Sequence, residues 1–118
     1  MSPAGPKKPR SVCPVACTLD LIGDKWTLLI VRDLFCGKSR FKEFTASPEG
    51  IATNILTNRL NRLLEHGLIE QIPSTDHSGR YAYQLTDRGR TLGPVLKTIS
   101  EWGLEQLEGT EARMQPKL

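Results

Sequence analysis

No stretch of this 118-residue chain is long and apolar enough to cross a bilayer, which takes about 20 consecutive apolar residues. Nor does an apolar run of signal-peptide length follow the basic residues Lys7, Lys8 and Arg10, which sit among Pro3, Pro6 and Pro9. The expectation is a cytoplasmic chain with no membrane partner, opening on a disordered basic arm over residues 1–11. That arm is either a solvated tail or a contact to DNA phosphates. Histidine is scarce: His66 and His77 are the two present, and neither has a partner at a recognisable catalytic or ligating spacing. The chain has no recognisable nucleophile with its base, no paired acids and no glycine-rich phosphate loop, so no catalytic residues are expected. The three cysteines, Cys13, Cys17 and Cys36, are an odd count, which argues against a disulfide framework and for free thiols. Cys13 and Cys17 have a gap permissible for zinc but lack a second ligand pair, so neither a metal nor another cofactor is expected.

What is present suffices for one domain. Hydrophobic residues make up 38 % and charged residues 25 %, ordinary values for a globular protein. The formal net charge of +3 is a weak lean towards polyanionic partners. Hydrophobic spacing predicts helices over 15–22, 25–35, 41–45 and 53–66, with Gly23, Gly37 and Gly67 just past three of the ends. Residues 68–72, bounded by Pro73, and 80–85 read as the strands of a hairpin. Thr86 can cap a last helix, which Gly93-Pro94 should bend or restart. The predicted fold is mainly α with a small β-hairpin, in the order of a winged helix-turn-helix. The folded domain covers 12–108, and 109–118 form a disordered tail.

The fourth helix carries the strongest pattern. Leu56, Leu60, Leu63 and Leu64 share one face, while Asn54, Asn58, Asn61 and Glu65 lie opposite, with Arg62 beside them and Thr57 and Arg59 on the flanks. Exposed helix positions usually favour Glu, Lys and Gln, and three asparagines on one face cost helix propensity. An asparagine amide pairs bidentately with adenine in the major groove, and an arginine grips guanine or phosphate. The candidate DNA-binding residues are therefore Thr53, Asn54, Thr57, Asn58, Arg59, Asn61 and Arg62. Arg80, at the base of the hairpin, joins them as a phosphate or minor-groove contact, or pairs with Asp76. The bland alternative for the whole face is solvation, and a winged helix can also grip a protein partner without reading DNA.

The last helix repeats Leu92, Val95, Leu96, Ile99, Trp102 and Leu107 at three- and four-residue spacing. Together with Val12, Val15 and Leu19 of the first helix, this stripe is the candidate homodimer surface; the alternative is that it packs on its own domain. Cys13 stands just before the first helix, where the positive helix end and nearby Arg10 and Lys8 would stabilise a thiolate open to electrophiles or oxidants. The competing reading is a small buried hydrophobe. A disulfide from Cys13 to Cys17 is disfavoured, because side chains four apart on a helix stand about 5–6 Å apart at Cβ.

Several stretches resemble the HxlR-type winged-helix regulators. Cys13-Pro14-Val15 and Leu19-Asp20-Leu21-Ile22-Gly23-Asp24-Lys25-Trp26-Thr27 open the likeness. Arg40-Phe41, Phe44, Gly50-Ile51 and Leu56-Thr57-Asn58-Arg59-Leu60 follow, then Leu63, Gly67-Leu68-Ile69 and Tyr83-Gln84-Leu85-Thr86. Gly89-Arg90, Pro94-Val95-Leu96 and Trp102-Gly103 complete it. The resemblance implies a homodimeric repressor or activator on pseudo-palindromic operator DNA, with some members answering electrophiles or oxidants through the cysteine that Cys13 matches; a small-molecule effector is the alternative. Two positions depart from the pattern. Ala52-Thr53 replaces the usual serine and proline at the start of the recognition helix, so Thr53 would cap in place of Ala52. Cys17 stands where the family usually carries a charged or polar residue.

Overall fold

Leu56, Leu60 and Leu63, each at most 1 % exposed, form the floor of the core, as their spacing requires. In the computed structural model, which describes residues 10–74 and 81–113, they lie on a helix that packs beneath two others. The elements in order are α1 (Pro14–Ile22), α2 (Thr27–Phe35), α3 (Phe41–Thr45), α4 (Thr53–Glu65), β1 (Ile69–Pro73), β2 (Tyr81–Leu85), α5 (Asp87–Arg90) and α6 (Gly93–Gln106). Ile30, Val31 and Phe35 of α2, Phe44 of α3 and Leu68, Ile69 and Leu85 of the hairpin close over the α4 leucines. Each such side chain contributes about 1.5–3 kcal/mol by leaving water. Tyr83 meets Phe44 edge to face, with ring centroids 6.3 Å apart.

α4 ends in a Schellman turn. Gly67, at φ 69°, lets the Leu68 N–H reach the Leu63 carbonyl and its own N–H reach the Leu64 carbonyl. The chain enters β1 at once, so the hairpin is placed directly by the end of α4. β1 and β2 pair antiparallel from Ile69 opposite Leu85 to Pro73 opposite Tyr81. The Ser39 carbonyl accepts from the Tyr83 N–H at 2.8 Å, which ties the segment before α3 to the hairpin. Pro73, expected to stop the first strand, is instead its last residue, a position where a missing N–H removes little pairing.

Thr86 caps as expected, accepting from the Gly89 N–H and donating to the Gly67 carbonyl. A Cβ on Gly89 would lie 1.9 Å from the Leu68 carbonyl oxygen, so only glycine allows α5 this close to the hairpin. The helix that follows is interrupted: α5 stops at Arg90, and α6 restarts with Pro94 in its first turn, where its missing N–H costs no hydrogen bond.

α2 begins at Thr27, two residues later than its apolar pattern suggested. The Asp24 carboxylate takes the N–H groups of Trp26 and Thr27 at 3.0 and 3.1 Å and holds them at the helix entrance. A second polar assembly lies toward the C-terminal end of α2. Asp33, 2 % exposed, accepts from Arg32 and from the Ser47 hydroxyl; Lys38 donates to that hydroxyl, and Arg32 grips both Glu49 carboxylate oxygens at 2.8 and 2.9 Å. Burial is thereby compensated by hydrogen bonds throughout, and the turn leading into α4 is fastened to α2.

Candidate nucleic-acid interface

Ala52, the N-cap residue of α4, is extended and offers no side-chain oxygen. The expected capping by Thr53 does not occur. Thr53 is already the first helical residue, and its carbonyl accepts from the Thr57 hydroxyl at 2.9 Å. The first-turn N–H groups are therefore uncapped by any side chain, and a helix start of this kind favours an anion.

Asn54, Asn58 and Asn61 are exposed on the face turned away from the leucines, and Thr53 and Thr57 are exposed on its flank. They offer hydroxyls and amides to solvent. The two arginines are placed otherwise. Arg59 donates through Nε to Asp24 at 2.8 Å and through Nη1 to the Asn58 side-chain oxygen at 2.6 Å. Arg62 donates to the carbonyls of Asp20 and Leu21 at the end of α1, and lies 3.9 Å from Asp24. Both are half-buried against the α1–α2 junction: Arg62 meets unpaired carbonyls that close α1, and Arg59 meets the Asp24 carboxylate just beyond them. The free-standing arginines expected from the helical wheel thus brace α4, and the exposed face carries uncharged groups from Thr53 to Asn61, with Glu65 at its end. Arg59 also orients Asn58: with its oxygen accepting from Arg59, the Asn58 amide N–H groups point onward as donors.

Asp24 is the residue that sequence reasoning missed, having placed it only within a family motif. Burial would raise its carboxyl, but hydrogen bonds from the Thr27 hydroxyl, Arg59 and the backbone N–H groups of Trp26 and Thr27 prevail. They hold it well below the usual carboxylate range. It is the shared anchor of α2 and α4. Lys42 was also missed. It is exposed in the first turn of α3, beside a hollow lined by Arg40, Phe41, Tyr81 and Tyr83. The alternation Lys38, Arg40, Lys42 was the available signal. Arg80 and the hairpin tip at Thr75, Asp76 and His77 lie outside the described residues, as does Lys8.

Cys13 is exposed at the N-cap of α1 and Cys17 is partly covered; both are free thiols. Arg10, expected to support a thiolate at Cys13, is bound to Asp20 at 2.7 Å, because its side chain runs along α1 to the next carboxylate. Cys36 is partly buried at the end of α2, where burial, reinforced by Asp33, pushes its thiol up.

The predicted dimer surface divides in two. Val12 (95 % exposed), Val15, Leu19, Val95, Ile99 and Trp102 (60 %) stand open to solvent, as do Leu104 and Leu107. Leu92 and Leu96 are turned inward and packed on the chain's own core. A hydrophobic repeat at three and four residues marks both the inner and the outer flank of α6, which spacing alone does not separate. Between α2, the turn at Pro48 and α6 lies an open cleft of about 550 Å³, with Leu28, Leu29 and Ile99 among its lining residues. Among the described residues, no helix is long and apolar enough to cross a membrane.

The HxlR-like helix-turn-helix family model matches residues 21–111. The uncharacterized HTH-type transcriptional regulator sll1512 of Synechocystis sp. (strain ATCC 27184 / PCC 6803 / Kazusa) is 36 % identical over 97 residues, 82 % of this chain and 72 % of its own. The chain spans a smaller share, 61 %, of a Mycobacterium bovis relative, the uncharacterized HTH-type transcriptional regulator Mb3122, to which it is 38 % identical over 82 % of its own length. Among solved structures, the redox regulator HypR in its reduced form superposes with TM-score 0.73 at 33 % identity, covering 81 % of this chain and 95 % of HypR. Winged-helix architecture, an exposed polar α4 and matches of this extent agree: the chain belongs to the HxlR-like helix-turn-helix family of DNA-binding transcriptional regulators.

Proposed function

We propose that this chain acts as a homodimer that reads a pseudo-palindromic operator through α4 and the hairpin, and that modification of Cys13 alters its hold on DNA. The observation that carries the reading is the exposed row Thr53, Asn54, Thr57, Asn58 and Asn61, set rigidly above a leucine face that is almost fully buried. Amides and hydroxyls at a groove discriminate bases by donor and acceptor pattern, whereas a charged face would bind phosphate without reading sequence. The uncapped start of α4, Lys42 and Arg80 supply the phosphate contacts that set register. Arg59 and Arg62 act at second hand, by holding Asn58 and the end of α1 in place. A DNA partner puts the chain in the compartment that holds the chromosome.

The exposed apolar residues of α1 and α6 are the surface for a second copy. In that arrangement two α4 helices enter successive major grooves about 34 Å apart. The thiol switch is supported by the exposure of Cys13 at the N-cap of α1 and by the likeness to HypR. Adding a group there would disturb the seam between protomers and, through the Arg62 bonds to the end of α1, the seating of α4.

Equilibrium titration of promoter fragments at several salt concentrations tests the reading. Two protomers per specific fragment are expected, with affinity falling steeply as salt rises. Salt-insensitive binding, or equal affinity for every sequence, would favour a protein-interaction module instead. Treatment with diamide or a quinone should release the wild type and spare Cys13→Ser. Equal release of both would assign the response to Cys17 or Cys36, and release of neither would move the effector to a noncovalent site, for which the cleft beside α6 has room.

A further inference from the structure

Asn58 stands on the exposed side of α4 with its side-chain oxygen already engaged: the Arg59 Nη1 donates to it at 2.6 Å. A guanidinium has only donors, so the end of the amide that meets it is the oxygen and not the nitrogen. Arg59 is itself held. Its Nε donates to the Asp24 carboxylate at 2.8 Å, and that carboxylate also takes the N–H groups of Trp26 and Thr27 and the Thr27 hydroxyl. Arg59 and Asp24 each keep only 22 % of their side-chain surface exposed, so their pair is partly withdrawn from water, where a charged hydrogen bond gains strength. A chain of bonds with a charged partner at every link thus runs from the start of α2 to the outer side of α4, and such bonds are roughly twice as strong as neutral ones.

Base edges differ in what they ask of such an amide. Adenine presents the N7 acceptor beside the N6 donor, and an asparagine pairs with it bidentately only by offering its oxygen together with its nitrogen. In this chain an adenine N6–H would have to compete with a guanidinium for the Asn58 oxygen. Guanine presents N7 and O6 side by side, both acceptors. The paired N–H groups of the Asn58 amide nitrogen suit that edge, as a lysine ammonium does from a single nitrogen. Thymine offers one acceptor, O4, and cytosine a donor, so each meets fewer of the amide's N–H groups.

We propose, on the reading of α4 as the base-contacting helix, that Asp24 and Arg59 make Asn58 a donor-only reader, which selects guanine over adenine at the base it touches. Asn58 makes the contact. Arg59 and Asp24 are positioning residues that touch no base: they hold the Asn58 oxygen against the flank of α4 and leave its N–H groups for the groove.

The test uses the full chain and an operator that the wild type selects from random duplexes. The position read by Asn58 is the one at which Asn58→Ala stops discriminating, and every base pair is then compared there by competition anisotropy. Wild type should favour one orientation of the guanine pair over either orientation of the adenine pair by at least about ten-fold, the scale of one good bidentate contact. Arg59→Met keeps the apolar stem and removes every donor. It frees the Asn58 oxygen and should lower the guanine-to-adenine ratio at this position at least about ten-fold, with affinity for a scrambled duplex unchanged. In an Asn58→Ala background the same Arg59→Met change should alter no base preference, whereas a base contact by Arg59 itself would. Circular dichroism confirms that the helices persist, and the wild-type ratio needs no variant at the α1–α2 junction. Preference for any other base at the Asn58 position, a guanine preference that survives Arg59→Met in the folded chain, a shift that persists without Asn58, or a specific operator on which Asn58→Ala changes no position would each overturn the proposal. Equal affinity of the wild type for every duplex would overturn the operator reading, and this selectivity with it.

Discussion

Two surfaces of this molecule face solvent in contrasting dress. The outer face of α4 presents hydroxyls and amides on a helix whose other side is sealed; the outer faces of α1 and α6 present Val15, Leu19, Ile99 and Trp102, with Val12 just before α1. The polar face costs helix propensity without adding to the core, and the apolar face leaves hydrophobic area in water. Each is therefore unfavourable in isolation, in opposite ways. Amides and hydroxyls suit an edge pattern of donors and acceptors, as bases offer; bare aliphatic and indole surface suits a surface like itself. The physical link between them is the α1–α2 junction, where Arg62 meets the carbonyls of Asp20 and Leu21 and Arg59 meets Asp24.

Variants on either side sharpen that contrast. The largest effect should come from the sealed side of α4. Leu60→Ala removes a fully buried side chain and should cost about 2–5 kcal/mol in a denaturant titration. Ile99→Glu should leave the fold intact yet split the dimer and weaken operator binding at least ten-fold, about 1.4 kcal/mol. Sedimentation at micromolar concentration reads the first effect and anisotropy the second; an unchanged dimer would place the partner elsewhere. Leu96→Glu is the less informative variant, because Leu96 packs on its own core and its loss would unfold the chain as well.

Asp24→Asn addresses the junction. Hydrogen bonds to charged groups are worth about 1.5–3 kcal/mol, and the amide keeps some of them, so a loss of roughly 1 kcal/mol is expected at neutral pH. The Asp24 carboxyl is held below its unfolded value of about 3.9, so its contribution is complete above that pH and fades as pH falls below it. The gap in stability between wild type and variant should close below about pH 4; a constant gap would mean that the charge is not what binds the junction. The smallest change is expected at Arg10→Ala. It breaks an exposed pair with Asp20 and should shift stability by no more than about 0.5 kcal/mol.

The parts of this fold that were legible in sequence are those governed by local periodicity. The leucines of α4, the glycine after it, the Thr86 cap and the restart at Gly93-Pro94 all follow from spacing and backbone chemistry within a few residues. The contacts that were not legible join distant segments. Arg59 and Asp24 are 35 positions apart, and nothing in a helical wheel says that a flanking arginine will be claimed by another helix's end. Leu92 and Leu96 illustrate a further limit: the same three- and four-residue repeat serves both flanks of α6, and only packing separates inward from outward residues. Ala52 shows that a helix starts where the backbone turns, with or without a capping side chain.

The most direct measurement of the central claim is equilibrium binding of wild type and Asn58→Ala to an operator selected from random duplexes, beside a scrambled duplex of equal length. Asn58 is exposed, so its loss leaves the core untouched. The account predicts that the variant loses about 1–3 kcal/mol on the operator and keeps its affinity for the scrambled duplex. Equal losses on both duplexes, or no loss on either with the helices intact, would contradict it.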